Sequence, residues 1–146
     1  MLLGQYSVAV GEKGRIAFPK RFRQVLGDRL VVTFGFENAL MVVSESNWKT
    51  LLSGTEDAPF LLSGARETKR FLLGSAVLIE LDGQGRFVLQ EYLRNFAKIE
   101  KEVVVVGQDR YVEIWDSKNW HEYQKKAQET ISQVAEKLVE SIESTK

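Results

Sequence analysis

Cysteine is absent from the 146 residues, histidine occurs once, at position 121, and proline occurs twice. Disulfides, thiolate metal sites and cysteine nucleophiles are therefore excluded. A single imidazole also removes multi-histidine metal sites and most histidine acid–base relays. No apolar run approaches the ~20 residues that cross a bilayer. The opening Met1-Leu2-Leu3-Gly4 lacks the basic segment and long apolar stretch of a secretion signal, so a soluble, cytoplasmic protein is expected. An excess of charge is missing too: 20 basic side chains balance 20 acidic ones. That neutrality counts against nucleic-acid binding, for which a basic footprint is the usual sign. What is present is ample apolar material, 44% of the chain. It is enough for one compact domain, or two very small ones, with roughly two-thirds of the unfolded surface buried.

The charge average hides a gradient. Residues 1–29 carry six cations (Lys13, Arg15, Lys20, Arg21, Arg23, Arg29) against Glu12 and Asp28. Residues 74–116 carry eight acids against five bases. A basic first third on a neutral chain fits a localised anion-binding face, and it equally fits a solvated helix face.

The chain repeats itself. Val8 to Ile16 aligns with Ile79 to Phe87 at an offset of 71, and at the same offset Phe22-Arg23 falls on Leu93-Arg94. After one insertion, Val31-Val32-Thr33-Phe34-Gly35 meets Val103-Val104-Val105-Val106-Gly107, and Asn47-Trp48 meets Asn119-Trp120. Gly14, Arg15, Arg23, Gly35, Asn47 and Trp48 all have identical counterparts. The agreement marks a duplication.

Each copy reads as strand, tight turn, strand, short helix and hairpin. Alternation of Tyr6, Val8 and Val10, and of Val77, Ile79 and Leu81, predicts half-buried strands. Gly11 to Gly14 and Asp82 to Gly85 supply the residues of a reversal with positive φ. Pro19, with φ already fixed for a first helical position, starts a helix over Lys20–Leu26 that Gly27 closes. Its partner lies at about Glu91–Ala97. Leu30–Phe34 with Ala39–Val43, and Val103–Val106 with Tyr111–Trp115, form the hairpins. Ser44 or Ser46, and Asp116 or Ser117, cap the helices that carry Trp48 and Trp120. A linker from Ser53 to Ser63, holding Gly54 and Pro59, leads into a helix near Ala65–Leu73. Beyond Ser117, Trp120, Tyr123, Ala127, Ile131, Val134, Leu138 and Ile142 step by three and four. They predict one helix of about 25 residues, near 37 Å long. Its far half needs something to lie on, either a neighbouring subunit or its own domain.

Enzymatic chemistry finds no site. Ser53, Ser63 and Ser75 lack a nucleophile-elbow context, and His121 has no patterned acid partner. Glu56-Asp57 and the Glu100/Glu102 pair lie in polar stretches where solvated acids are usual. Gly11-Glu12-Lys13-Gly14-Arg15 lacks the spacing and hydroxyl of a phosphate loop. Neither a metal nor a cofactor is signalled. The feature that needs an explanation is Gly-Arg at one place in both copies. A turn requires Gly14 and Gly85 but not Arg15 and Arg86. A guanidinium offers a planar fork for phosphate oxygens or for the O6 and N7 edge of guanine, and a two-stranded ribbon fits the major groove. The alternative is that both arginines hold a nearby carboxylate such as Asp82 and stiffen their turns.

The duplicated (Asp)-x-x-Gly-Arg turn, Pro19-x-x-Phe22-Arg23, the paired Asn-Trp and the length together resemble the MraZ family of bacterial DNA-binding regulators. The likeness runs from Gly4 through the Trp120 helix. It implies an α+β, mainly β fold: two AbrB-like swapped-hairpin halves forming a pseudo-twofold β-barrel, with short flanking helices and a long C-terminal helix. The halves span residues 4–52 and 74–118, joined by a linker and helix over 53–73, with the terminal helix over 119–146. The resemblance further implies a nucleoid-associated ring of about eight or more subunits. The ring binds double-stranded DNA at short guanine-rich tandem repeats, usually to repress the cell-division and cell-wall operon. The DNA-contacting turn falls on Lys13, Gly14 and Arg15, with Arg86 as the second copy's equivalent. Two departures stand out. Gly11 replaces the usual aspartate of the first motif, and Gln84 stands where the first copy has Lys13, among acidic neighbours. The first copy is therefore expected to dominate contact. A single-copy-type AbrB-like antitoxin and a ring-forming protein-interaction scaffold are the alternatives.

Overall fold

A computed structural model describes residues 1–56 and 63–144. Period-two alternation gives β1 (Gln5–Ala9), which turns Tyr6 and Val8 to the core, and β5 (Val77–Glu80), which does the same with Val77 and Ile79. Apolar on both faces, β3 (Arg29–Phe34), β4 (Leu40–Ser44), β7 (Glu102–Gly107) and β8 (Val112–Asp116) are buried along most of their length. These six strands form one antiparallel sheet in the order β1-β7-β8-β4-β3-β5. The three-residue β2 (Arg15–Ala17) and β6 (Arg86–Val88) make a separate antiparallel ribbon.

Pairing crosses between the two copies. β1 lies on β7, β5 on β3, and β2 on β6. Exchanging the copies reverses the sheet order onto itself, so a pseudo-twofold passes by the Met41–Glu113 and Ile16–Phe87 pairs. The expected barrel, however, does not close. β2 and β6 spend their short ladders on each other, which leaves β1 and β5 as the two edges of an open sheet.

A second correction concerns register. Leu30 and Val32 face the main core in the first copy, and Val103 and Val105 do so in the second. Both six-residue strands share one burial pattern, so Arg29 corresponds to Glu102 and Phe34 to Gly107, one residue away from the alignment that matched Gly35 with Gly107. A run of four valines carries no mark of register, and only the pleat decides it. Gly107 serves a local need of its second copy: a Cβ there would lie 2.6 Å from the Leu2 carbonyl carbon.

Helices cover the sheet. α1 (Lys20–Leu26) has its expected bounds, and Gly27, at φ 81°, closes it by donating its amide hydrogen bond to the Arg23 carbonyl. Pro19 stands one place earlier than a first helical residue, as the cap whose carbonyl accepts the Phe22 and Arg23 amides. Its counterpart is α4 (Glu91–Phe96). α2 (Glu45–Glu56) starts where Ser44 Oγ accepts the Asn47 amide, and α5 (Ser117–Ser144) where Asp116 Oδ2 accepts the Asn119 amide, both at 3.2 Å. α2 therefore takes up the first four residues of the expected linker, while Pro59 lies outside the described residues. α3 (Ser63–Ser75) docks on β3 through Thr33, whose hydroxyl donates to the Leu72 carbonyl and pairs with Ser75 Oγ at 2.8 Å. α5 has 28 residues, about 42 Å. Trp120 pins its first turn, stacking edge-on against Trp115 and donating to Gln5 Oε1 at 2.8 Å. Among the described residues no helix is long and apolar enough to cross a membrane.

Candidate nucleic-acid interface

Both Gly-Arg turns run straight into the ribbon. In the first, the Gly11 amide donates to the Arg15 carbonyl at 2.8 Å and the Gly14 amide to the Gly11 carbonyl at 3.2 Å. In the second, Asp82 and Gly85 repeat both bonds at 2.9 Å. Neither turn folds its flanking strands into a local hairpin. Each sends its second strand across to the other copy, where the Gly14 carbonyl accepts the Leu89 amide and the Gly85 carbonyl accepts the Phe18 amide, both at 2.8 Å. The positive φ values fall on Lys13 (59°), Gly14 (81°) and Gly85 (75°), not on Gly11 or Gly83.

Ribbon register then decides where the arginines point. Arg15 stands opposite Val88 and Arg86 opposite Ala17, with Ile16 facing Phe87 between them. Cross-strand partners share a face. Ile16 and Phe87 are buried on the inner face, and both arginines lie diagonally on the outer one, at a spacing of about 7–8 Å between backbones. Two residues 71 positions apart in sequence thus share one small surface.

They are not equally available. Arg15 is exposed and has no ion pair among the described residues. Arg86 is half-buried, and its Nε donates to Asp82 Oδ2 at 3.2 Å. Asp82 Oδ1 also accepts the Gln84 and Arg86 amides at 2.9 Å each. Those bonds, the Arg86 amide first, hold the Asp82 carboxyl below the usual aspartate range. A depressed pKa keeps the tether charged through neutral pH, and it is lost only as pH falls below that range. The carboxylate pairing describes Arg86, whereas Arg15 is exposed with no ion pair among the described residues. Gly11, standing where the second copy has Asp82, leaves Arg15 without a carboxylate and still closes its turn.

Lys13 is exposed, held in the left-handed region, whereas Gly14 is buried. Gly14 therefore acts by shaping the turn and offers no side of its own to a ligand. The duplication makes Arg23 and Arg94 twins without giving them a task, and the fold supplies one. Each supports the other copy's turn. Arg94 Nε donates to the Leu89 carbonyl at 2.9 Å beside Gly14. Arg23 donates to Asp28 Oδ1 at 2.7 Å and to the Asp82 carbonyl at 3.3 Å beside Gly85. Their identity at the 71-residue offset is the signal that the sequence carries for this role.

The two glycines should respond differently to a methyl group. A Cβ on Gly14 would sit 2.6 Å from the Leu89 carbonyl oxygen, which the ribbon holds in place. On Gly85 its nearest neighbour is the flexible Arg23 side chain, whose guanidinium lies at 3.1 Å. Both alanines strain a positive φ, by about 1–2 kcal/mol. Gly14→Ala is expected to cost about 2–4 kcal/mol with the added overpacking, more than Gly85→Ala. Denaturant melts of the two variants check the order.

No group of acidic or histidine side chains able to hold a metal ion occurs among the described residues. Comparison with known proteins places the chain in a family. The family model described as "MraZ protein, putative antitoxin-like" matches the chain twice, over residues 1–71 and 72–142. The chain belongs to the MraZ family. A Caldanaerobacter subterraneus subsp. tengcongensis protein named transcriptional regulator MraZ is 40% identical over 138 residues, covering 94% of this chain and 96% of its own. The protein of that name from Thermoanaerobacter pseudethanolicus is 41% identical over 140 residues, with coverages of 96% and 98%. That from Moorella thermoacetica is 39% identical over 140 residues, with the same coverages. Within the MraZ frame, both copies contribute alike to the ribbon, as they do to the sheet. The Asp82 tether is what sets the second motif apart from the first.

Proposed function

We propose that this chain is a sequence-specific DNA-binding transcriptional regulator whose outer ribbon face enters the major groove. The observation that carries the reading is the exposed Arg15, free of ion pairs among the described residues, on a slim two-stranded ribbon beside Lys13. Arg15 reads guanine edges, Lys13 and the exposed Lys20 and Arg21 neutralise phosphate, and Arg86 adds a weaker second contact. Gly14 holds the turn in shape. In line with the family, the targets are short guanine-rich tandem repeats bound by a ring of about eight or more subunits on the nucleoid. The regulator represses the cell-division and cell-wall operon. The exchange of strands between copies is what two ancestral chains with swapped hairpins would leave after fusion.

Assembly answers the neutral net charge. One protomer offers few cations, but subunits meeting successive repeats gain through effective concentration, often ~10²–10⁴-fold. A gel-shift titration against tandem guanine-rich repeats and a scrambled duplex at two salt concentrations tests the proposal. Tight binding to the repeats alone is expected, steepening by about 0.9 in the log–log salt slope for each phosphate neutralised. Equal, weak binding to both duplexes would overturn it in favour of a protein-binding scaffold.

A further inference from the structure

Beyond Ala127 every described residue of α5 is exposed, although the helix continues to Ser144. Its stripe stays apolar there: Ile131 is 55% exposed, Val134 54% and Leu138 59%. A contiguous apolar strip of this kind marks a contact surface. Nothing in the protomer's own sheet reaches it.

Two features of the stripe identify its occupant. The first is spacing. Tyr123, Ala127, Ile131, Val134, Leu138 and Ile142 follow intervals of four, four, three, four and four. The series reads the same in both directions. Laid antiparallel on a copy of itself, the helix brings Tyr123 to Ile142, Ala127 to Leu138 and Ile131 to Val134 in one twofold register. Each small or medium side chain then meets a larger one. From Trp120 the stripe recurs every eleven residues, at 131 and 142, a period that turns it slightly to the right along the helix instead of to the left.

The second feature is charge. Residues 118–126 hold Lys118, Lys125 and Lys126 against Glu122, whereas residues 136–143 hold Glu136, Glu140 and Glu143 against Lys137. An antiparallel pair sets the basic end against the acidic end twice over. A parallel pair sets like against like.

We infer that α5 pairs antiparallel with α5 of a second copy of this chain, about a twofold axis between residues 132 and 133. The contact is isologous: the same strip serves both partners. It stands independently of the ribbon's reading of DNA, which the gel shift tests separately.

The chain's lack of cysteine allows single spin labels to be placed on the full-length protein at Thr130→Cys or Ser141→Cys, both beside the stripe. In the antiparallel register the two labels lie about 8 Å apart along the axis at 130 and about 26 Å apart at 141, from a rise of 1.5 Å per residue. Dipolar spectroscopy should show that increase. Equal short distances at both positions would establish a parallel pair and overturn the proposal. Absence of any dipolar coupling within 40 Å at either position would overturn it in favour of a separate surface for each helix.

Discussion

Arg15→Ala should nearly abolish specific binding to guanine-rich repeats while leaving the circular dichroism spectrum and melting point unchanged. Arg15 is exposed and ion-paired to nothing among the described residues, so its loss opens no cavity and strands no buried charge. A bidentate fork on guanine discriminates by about 1–3 kcal/mol per contact. When several subunits of an assembly each lose that contact, the deficits accumulate across the repeats and specificity collapses towards the salt-dependent background. Arg86→Ala should weaken binding less. Its guanidinium must first leave Asp82, a pair that solvent and salt screen, and the acidic surroundings of the second copy repel phosphate. Parallel gel shifts of both variants decide the matter. Normal binding by Arg15→Ala would remove the turn from the interface, and a larger loss with Arg86→Ala would reverse the ranking of the copies.

Elements encoded in short stretches of the chain are legible in the sequence alone. Pro19 and Gly27 bracket α1, Ser44 and Asp116 cap the helices that carry the paired tryptophans, and the three–four stepping after Trp120 marks α5. Each of these signals is local, a matter of fixed φ, an orphan amide or helical periodicity. The pairing partners are not legible in the same way. Which strand lies on β7 depends on contacts roughly a hundred residues apart, and β1 takes that place instead of folding back on its own turn. Register in Val103–Val106 is hidden, because four identical side chains satisfy either face. Openness of the sheet follows from the shortness of β2 and β6, which no composition argument supplies. At the candidate interface, the Gly-Arg pair announces itself by repetition. The inequality between its two arginines depends on one distance, Arg86 to Asp82, and on Gly11 leaving its twin without that carboxylate.

Phe22→Ala should cost about 3–5 kcal/mol, the largest single loss of stability expected in the chain. Phe22 is only 2% exposed. Its ring meets Tyr6 of β1 edge-on at 5.1 Å and Phe18 at 6.4 Å, and Phe18 in turn meets Phe87 of β6. One side chain on α1 therefore ties a sheet edge to the underside of the ribbon. Alanine removes the ring and leaves a cavity that this backbone, pinned by the Pro19 and Gly27 caps, cannot collapse to fill. Leucine offers the control, because the second copy carries Leu93 at the matching position and buries it fully. Phe22→Leu should cost about 1–2 kcal/mol, since most of the apolar volume survives. Denaturant unfolding at one fixed protein concentration measures both, because association of any kind makes apparent stability depend on concentration. Against a total of about 5–15 kcal/mol, the alanine variant should also lose DNA binding on warming, as the support beneath Ile16 and Phe87 loosens and Arg15 loses its fixed presentation. A Phe22→Ala chain that melts like the unsubstituted one would show that the ribbon rests on the sheet without α1.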